Sequence, residues 1–394
     1  MCGIIAVCGE KDAQNILING LELLEYRGYD SAGIALVEDK GFRVIKTKGK
    51  VGALKELVQK SGKSGTVGIA HTRWATHGEP NDANAHPHEV SDLVLVHNGV
   101  IENYADIKKE LAAKGYEFKS QTDTEVLAWL IQSFVDAGDN PRDALAHALE
   151  KVKGTYAIEV IFKSEPDRIY GAKKGSPLAV GTNGRAHFMG SDAIALGHCA
   201  DRIMYLEEGD SAVITKTSFE IWDKHGEPAR RKFVAISVES LADKGKSEHF
   251  MQKEIFEQPE VIERAIANGQ LESLSVDFGR ISKIHIVACG TSYHAGLVAK
   301  YWIESLTPIW VEVEVASEFR YRRPTLKRGE LAIFISQSGE TADTLAALRY
   351  AKEKGQNTIS IVNVATSTIA RESDAALLMR AGAEVGVAST KAFT

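Results

Sequence analysis

The chain reads as two folds in succession: an α+β part built from stacked sheets flanked by helices, then an α/β part built on a doubly wound parallel sheet. Three observations predict this. Residues 2–235 hold many short β-rich runs and few long helices. Residues 236–280 are polar and charged, with Pro259 inside, and read as a connector carrying a helix or two. Residues 281–394 repeat a strand, a loop and a helix.

In the first part the β-rich runs are Ile4–Cys8, Ala32–Val37, Val44–Lys48, Val67–Ala70, Leu93–Val96, Tyr156–Phe162 and Ala212–Thr215. Helical periodicity marks Ala13–Leu24, Tyr104–Ala113, Thr124–Val135 and Pro141–Lys151. In the last part Lys283–Ala288 is a strand, and Cys289-Gly290-Thr291-Ser292 turns into a helix over Tyr293–Ser305. Trp310–Val315 is the second strand and Glu330–Ile335 the third. The loop from Ser336 to Thr341 leads into a helix over Ala342–Lys354, followed by strands at Thr358–Asn363 and Ala375–Met379. The chain stops at what reads as the opening of a further helix, so the second domain is expected to be incomplete.

Composition bounds the function. The 394 residues are 44% hydrophobic and 25% charged, an ordinary globular balance. A net charge of −6 gives no support to nucleic-acid or membrane-surface partners. No apolar run approaches the ~18 residues of a membrane span, and no secretory signal opens the chain. Cys2, Cys8, Cys199 and Cys289 lie far apart without metal-ligand spacing. A reduced, cytoplasmic protein is expected.

Chemistry is signalled first at Met1-Cys2-Gly3-Ile4. Trimming Met1 leaves a thiol and a free α-amine on one residue. The amine titrates near pH ~8, and a thiol beside a base is equipped for covalent catalysis. A thiol attacking a carboxamide needs donors for the oxyanion, and an Asn side chain with a Gly N–H is a common pair; Asn98-Gly99 offers both. A free amino acid needs a guanidinium for its carboxylate and a carboxylate for its ammonium; Arg73 and Asp123 are candidates. Each has a plainer alternative: a hairpin turn for Asn98-Gly99, a helix N-cap for Asp123, a surface ion pair for Arg73. His86-Pro87-His88 points only weakly to a metal, having no Cys or carboxylate partner. In the last part Thr291, Ser292, Ser336, Ser338 and Thr341 sit at or near helix N-termini. They lie at the carboxyl ends of parallel strands, where phosphates bind; N-capping is the alternative.

These segments, with Tyr26-Arg27-Gly28-Tyr29-Asp30-Ser31-Ala32-Gly33, His71-Thr72-Arg73-Trp74-Ala75-Thr76-His77-Gly78, His97-Asn98-Gly99 and Thr122-Asp123-Thr124-Glu125, resemble the class II glutamine amidotransferases, most closely the branch that aminates fructose 6-phosphate. The resemblance covers the whole chain. It implies an N-terminal nucleophile fold, a four-layer αββα sandwich, followed by a sugar-isomerase domain. It implies Cys2 as nucleophile and Asn98 with Gly99 as the oxyanion hole. Arg73, Thr76 and His77 would hold the glutamine carboxylate, and Asp123 with the Gly99 carbonyl its amino group. Trp74 is similar to the family's ammonia-channel gate, and Arg27 to a residue of the loop over the site. Ser336-Gln337-Ser338-Gly339-Glu340-Thr341 is similar to the family's phosphate loop, and Thr291, Ser292, Val387 and Ser389 to its other sugar-binding positions.

The implied reaction takes L-glutamine and fructose 6-phosphate to glucosamine 6-phosphate and glutamate, in a homodimer, with no cofactor and no metal. The family's isomerase acid/base glutamate, ring-opening histidine and Schiff-base lysine are expected beyond Thr394. Lys391 matches a structural segment instead. Glutaminase activity alone, and a sugar-phosphate-binding regulatory module, are the competing readings.

Overall fold

The computed structural model describes residues 2–25, 29–39, 41–62, 65–75, 77–235, 247–267, 274, 276–327, 329–365, 367–382, 384, 386 and 388–394. The expectations for Arg27, Thr76 and Val387 lie outside these residues. The chain divides into two units, Met1–Val238 and Glu239–Thr394.

The first unit holds an eight-stranded sheet in the order Val234–Ala235, Arg202–Tyr205, Ala179–Thr182, His187–Gly190, Gly3–Cys8, Val67–Arg73, Ser31–Glu38, Gly41–Lys48. A six-stranded sheet runs Phe219–Trp222, Ser211–Ile214, Glu165–Lys174, Gly154–Phe162, Leu93–Ile101, His88–Val90. Neighbouring strands are antiparallel throughout both.

Strand alternation explains the layering. Ile5 and Val7 face a core closed by helices Ala13–Leu24, Val51–Lys60 and Ala193–Leu196. Ile4, Ala6 and Cys8 enter the core between the sheets. In the other sheet Val94 and Val96 join that same core, whereas Leu93 and Leu95 pack beneath helices Tyr104–Ala113, Asp123–Asp136 and Pro141–Lys151. Helix, sheet, sheet, helix is the expected αββα sandwich. A strand buried on both faces must be apolar at every position, which is why the first strand reads as an unbroken run.

Glu159 is an exception to this pattern. It is fully buried on a strand whose neighbours Ala157 and Ile161 belong to the core between the sheets. Neither carboxyl oxygen has a hydrogen-bond partner among the described residues, and burial pushes its pKa well up. The folded state therefore keeps a proton that the unfolded chain sheds above about pH 4.3. Stability falls as pH rises from there towards the folded-state pKa. Glu159→Leu removes the penalty. The variant is expected to melt higher than the parent, with a larger gain at pH 8 than at pH 5. An equal gain at both would show that Glu159 does not set this slope.

The second unit has five parallel strands in the order Trp310–Val315, Lys283–Ala288, Leu331–Ser336, Asn357–Val362, Ala375–Leu378. Helices Ala316–Arg322, Ala342–Glu353 and Thr368–Glu372 pack on one face, and Gly290–Leu306 on the other. The sheet is doubly wound, as expected. Chain order reverses between Lys283–Ala288 and Leu331–Ser336, so the crevice favoured for ligands opens at their carboxyl ends. The helix Phe250–Ala267, with Pro259 inside it, lies in this unit. Its Glu254 accepts from the Gly386 N–H at 3.1 Å, and its Glu257 pairs with buried Lys391 at 2.6 Å. Among the described residues no helix is long and apolar enough to cross a membrane.

Candidate active site

Cys2 stands immediately before the central strand of the first sheet, and the neighbouring strand ends at Arg73. This adjacency brings Trp74 against the thiol. The Trp74 N–H donates to Cys2 Sγ at 3.2 Å, and the thiol lies 3.5 Å from the Trp74 carbonyl. Burial pushes the thiol pKa up; the Trp74 N–H and Arg73 draw it down. A pocket beside the thiol is lined by Arg73, Trp74, His77, Gly99 and Asp123, with His86, His97, Thr122 and Thr124.

The plainer readings of the candidate residues do not survive. Asn98-Gly99 is no hairpin turn: both lie inside the strand Leu93–Ile101, opposite Ala157 and Tyr156. The strand runs past Val96 to Ile101, five residues beyond the apolar run. The Asn98 side-chain amide donates to the Cys2 carbonyl at 3.2 Å. Gly99 has φ +135°, and a Cβ there would meet the Thr155 carbonyl oxygen at 2.1 Å. Only glycine fits, and its backbone can turn towards the pocket.

Asp123 is not the N-cap. Thr122 takes that place, its hydroxyl accepting from the Glu125 N–H at 3.2 Å. Asp123 Oδ2 accepts from the Ile101 N–H at 2.8 Å. This bond ties the helix start to the end of the Asn98 strand. Arg73 is 3% exposed, so it is no surface ion pair. Its Nη2 donates to the His77 carbonyl and, at 3.1 Å, to the Gly78 carbonyl. Nη1 is buried without a hydrogen-bond partner among the described residues, 3.8 Å from Asp30.

Asp30 was not among the residues singled out for a role. Its carboxylate accepts from the Ala75 N–H and, at 2.8 Å, from the Ser31 hydroxyl, fixing the loop that covers Cys2. The histidines form a neutral wall. His71, His86 and His88 are held well below the ordinary imidazole range by burial, His71 at about 3. His88 Nε2 is 3.0 Å from the Thr122 hydroxyl, so the His86-Pro87-His88 segment braces the helix cap. A Thr three residues before a Glu is a capping-box spacing that signals such a cap from sequence.

Arg73→Lys is expected to raise KM for glutamine strongly. A point charge does not reproduce a guanidinium fork on a carboxylate. Steady-state kinetics with an unchanged KM would place Arg73 outside the substrate contact.

In the second unit the helix begins at Gly290 rather than Tyr293, so Thr291 and Ser292 occupy its first turn and do not cap it. Cys289 stands at the N-cap and makes no side-chain cap bond. Across the crevice Ser336 ends its strand, and its hydroxyl lies 3.0 Å from that of Thr341 and accepts from the Gly339 N–H at 3.1 Å. The Ser338 hydroxyl accepts from the Glu340 N–H at 3.2 Å, and the Gln337 carbonyl from the Asn363 N–H at 3.1 Å. Thr341 is the N-cap residue of Ala342–Glu353 without a capping side-chain bond. Ser389 donates to Glu384 at 2.7 Å.

Two halves of different chemistry follow one another in the chain: a part-buried thiol at an N-terminal strand, and a hydroxyl-rich crevice of a parallel sheet. A family model for the glutamine amidotransferase domain matches residues 71–198, and one for the SIS domain matches residues 279–394. A curated relative from Zymomonas mobilis, named glutamine–fructose-6-phosphate aminotransferase (isomerizing), is 48% identical over 403 aligned positions, covering 100% of this chain and 66% of its own length. One of the same name from Bradyrhizobium diazoefficiens is 48% identical over 404 positions, with the same coverage. The solved C-terminal domain of glucosamine-fructose-6-phosphate aminotransferase from Francisella tularensis is 47% identical over 39% of this chain and 45% of that one, with a TM-score of 0.35. The chain belongs to the glutamine–fructose-6-phosphate aminotransferase family, and it spans 66% of the length of the curated relatives it matches.

Proposed function

We propose that the protein hydrolyses L-glutamine at Cys2 and delivers the ammonia to fructose 6-phosphate, giving glutamate and glucosamine 6-phosphate. The observation that carries the first half is the Cys2 thiol, docked on the Trp74 peptide beside a pocket walled by Arg73, Gly99 and Asp123. With Met1 removed, the Cys2 α-amine takes the thiol proton as sulfur attacks the amide carbon. The oxyanion forms against the Asn98 amide and the Gly99 N–H. The amine returns the proton to the departing ammonia, and water then cleaves the thioester to glutamate. Arg73, with Thr76 and His77, holds the substrate carboxylate. The Asp123 carboxylate and the Gly99 carbonyl hold the ammonium. Trp74 gates the ammonia path, and Arg27 closes over the site.

The acceptor reading rests on the crevice of the second unit. Helix N-termini carry unpaired N–H groups and partial positive charge, which suit a sugar phosphate without a lysine. Ser336, Gln337, Ser338 and Thr341 take the phosphate, with Thr291, Ser292, Val387 and Ser389 around the sugar. Exposed Tyr301, Trp302, Leu306 and Trp310 support a homodimer, and four free cysteines suit a reducing cytoplasm.

Two measurements on the 394-residue chain test the reading. Glutamine should yield glutamate and ammonia in equal amounts, and fructose 6-phosphate should bind in calorimetry and lose affinity in Ser338→Ala. Absence of glutamate release overturns the first half. Absence of sugar-phosphate binding overturns the second.

A further inference from the structure

A second cluster of ionisable groups lies in the second unit. His285, on the strand Lys283–Ala288, is 1% exposed and stands opposite Glu312 of the edge strand Trp310–Val315. Glu312 and Glu314 are two residues apart on that strand, so both side chains share the His285 face. His285 Nε2 is 3.1 Å from Glu330 Oε2, an oxygen that also accepts the Lys327 N–H at 2.9 Å. A carboxylate oxygen accepts, so Nε2 carries a proton; in the tautomer this leaves, Nδ1 presents a lone pair. That lone pair faces Glu312 Oε2 at 3.7 Å and Glu314 Oε1 at 4.0 Å. Both Nδ1 and Glu314 Oε1 are buried without a hydrogen-bond partner among the described residues.

We propose that His285, Glu312 and Glu314 bind a divalent transition-metal ion of the zinc or cobalt class. A lone pair aimed at two carboxylate oxygens is repulsive unless a cation lies between them. An imidazolium does not relieve it well, because 3.7 and 4.0 Å exceed hydrogen-bond reach. Two metal–ligand bonds of about 2.0–2.2 Å each span such separations, and the three donor atoms lie within 4.8 Å of one another. Imidazole with carboxylates is a donor set such ions accept. Glu330 behind the ring is the partner that fixes tautomer and orientation in metal-bound histidines.

Charge favours the ion. Lys283 lies 2.5 Å from Glu312 Oε2, and Arg322 pairs with Glu314 Oε2. Against Glu312, Glu314 and Glu330 these two cations leave one negative charge. Lys283 is the competitor, since it holds the same oxygen the metal uses; it is part-exposed on a flexible stem and free to swing out. Arg322 holds the other oxygen of Glu314 and stays. The ion clips the edge strand to the strand that leads into Cys289-Gly290-Thr291-Ser292.

The test uses the whole chain, stripped with chelator and titrated with Co2+ alone, then with Zn2+ in competition. The parent is expected to bind one more equivalent of Co2+, with ligand-field absorption, than His285→Gln or Glu314→Gln. Glu330→Gln should bind about 10–100-fold more weakly, and Lys283→Gln more tightly than the parent. Zn2+ should raise the melting temperature of the parent and not of Glu314→Gln, a less buried position that guards against loss of folding in His285→Gln. Identical cobalt spectra and affinities in the parent and both ligand variants would overturn the site. So would an unchanged or weaker affinity in Lys283→Gln.

Discussion

Cys2→Ala abolishes glutamate release from glutamine and leaves fructose 6-phosphate binding intact. No other thiol of the first unit can take over. Burial pushes Cys8 and Cys199 each up to about 12, so neither offers thiolate at neutral pH. Burial raises the Cys2 thiol as well, which makes the α-amine necessary: the parent rate should climb with pH through the amine's range, about 7.7–8.0. Glutamate release, sugar-phosphate binding and the pH profile are measured on purified parent and variant. Residual glutaminase at a tenth of the parent rate or more would place the nucleophile elsewhere.

Asn98→Ala lowers kcat by about 10²–10³, the usual loss for one oxyanion donor, equivalent to about 2.7–4 kcal/mol. Asn98 is 6% exposed in a strand paired along its length with Gly154–Phe162. The backbone therefore holds its place when the side chain is shortened, and the loss reports on chemistry. KM for glutamine should change little, because the oxyanion exists only in the transition state. A raised KM with kcat preserved would make Asn98 a ground-state contact.

Much of this was legible in the sequence, for physical reasons. Unbroken apolar runs such as Ile4–Cys8 can be satisfied only between two layers, and alternating strand and helix signals after Ile281 admit little but a doubly wound sheet. Helix starts were less legible. The Gly290 helix begins three residues earlier than its apolar periodicity suggests, so Thr291 and Ser292 lie in its first turn and not before it. Leu93–Val96 continues to Ile101 because polar His97 and Asn98 pair as strand residues, a tertiary override of turn chemistry at Asn-Gly. Residue type alone suggests Asp123 as the cap, whereas the capping-box spacing to Glu125 marks Thr122, which takes the place. The choice follows from the Ile101 N–H, which is distant in sequence. Asp30 and Glu159 show the limit: what they face comes from strands that sequence order does not bring together.

The Trp74–Gly78 loop has a consequence for how the site senses its cargo. One short segment supplies the Trp74 peptide that grips Cys2 and the His77 and Gly78 carbonyls that occupy Arg73. On the proposed role of Arg73, a carboxylate arriving there would compete with those carbonyls, and releasing them would loosen the hold on the sulfur. Recognition at one end of the substrate would thereby be reported to the nucleophile at the other. The rate at which Cys2 is alkylated becomes a meter of loop tension, one that a ligand lacking an α-carboxylate should leave unmoved.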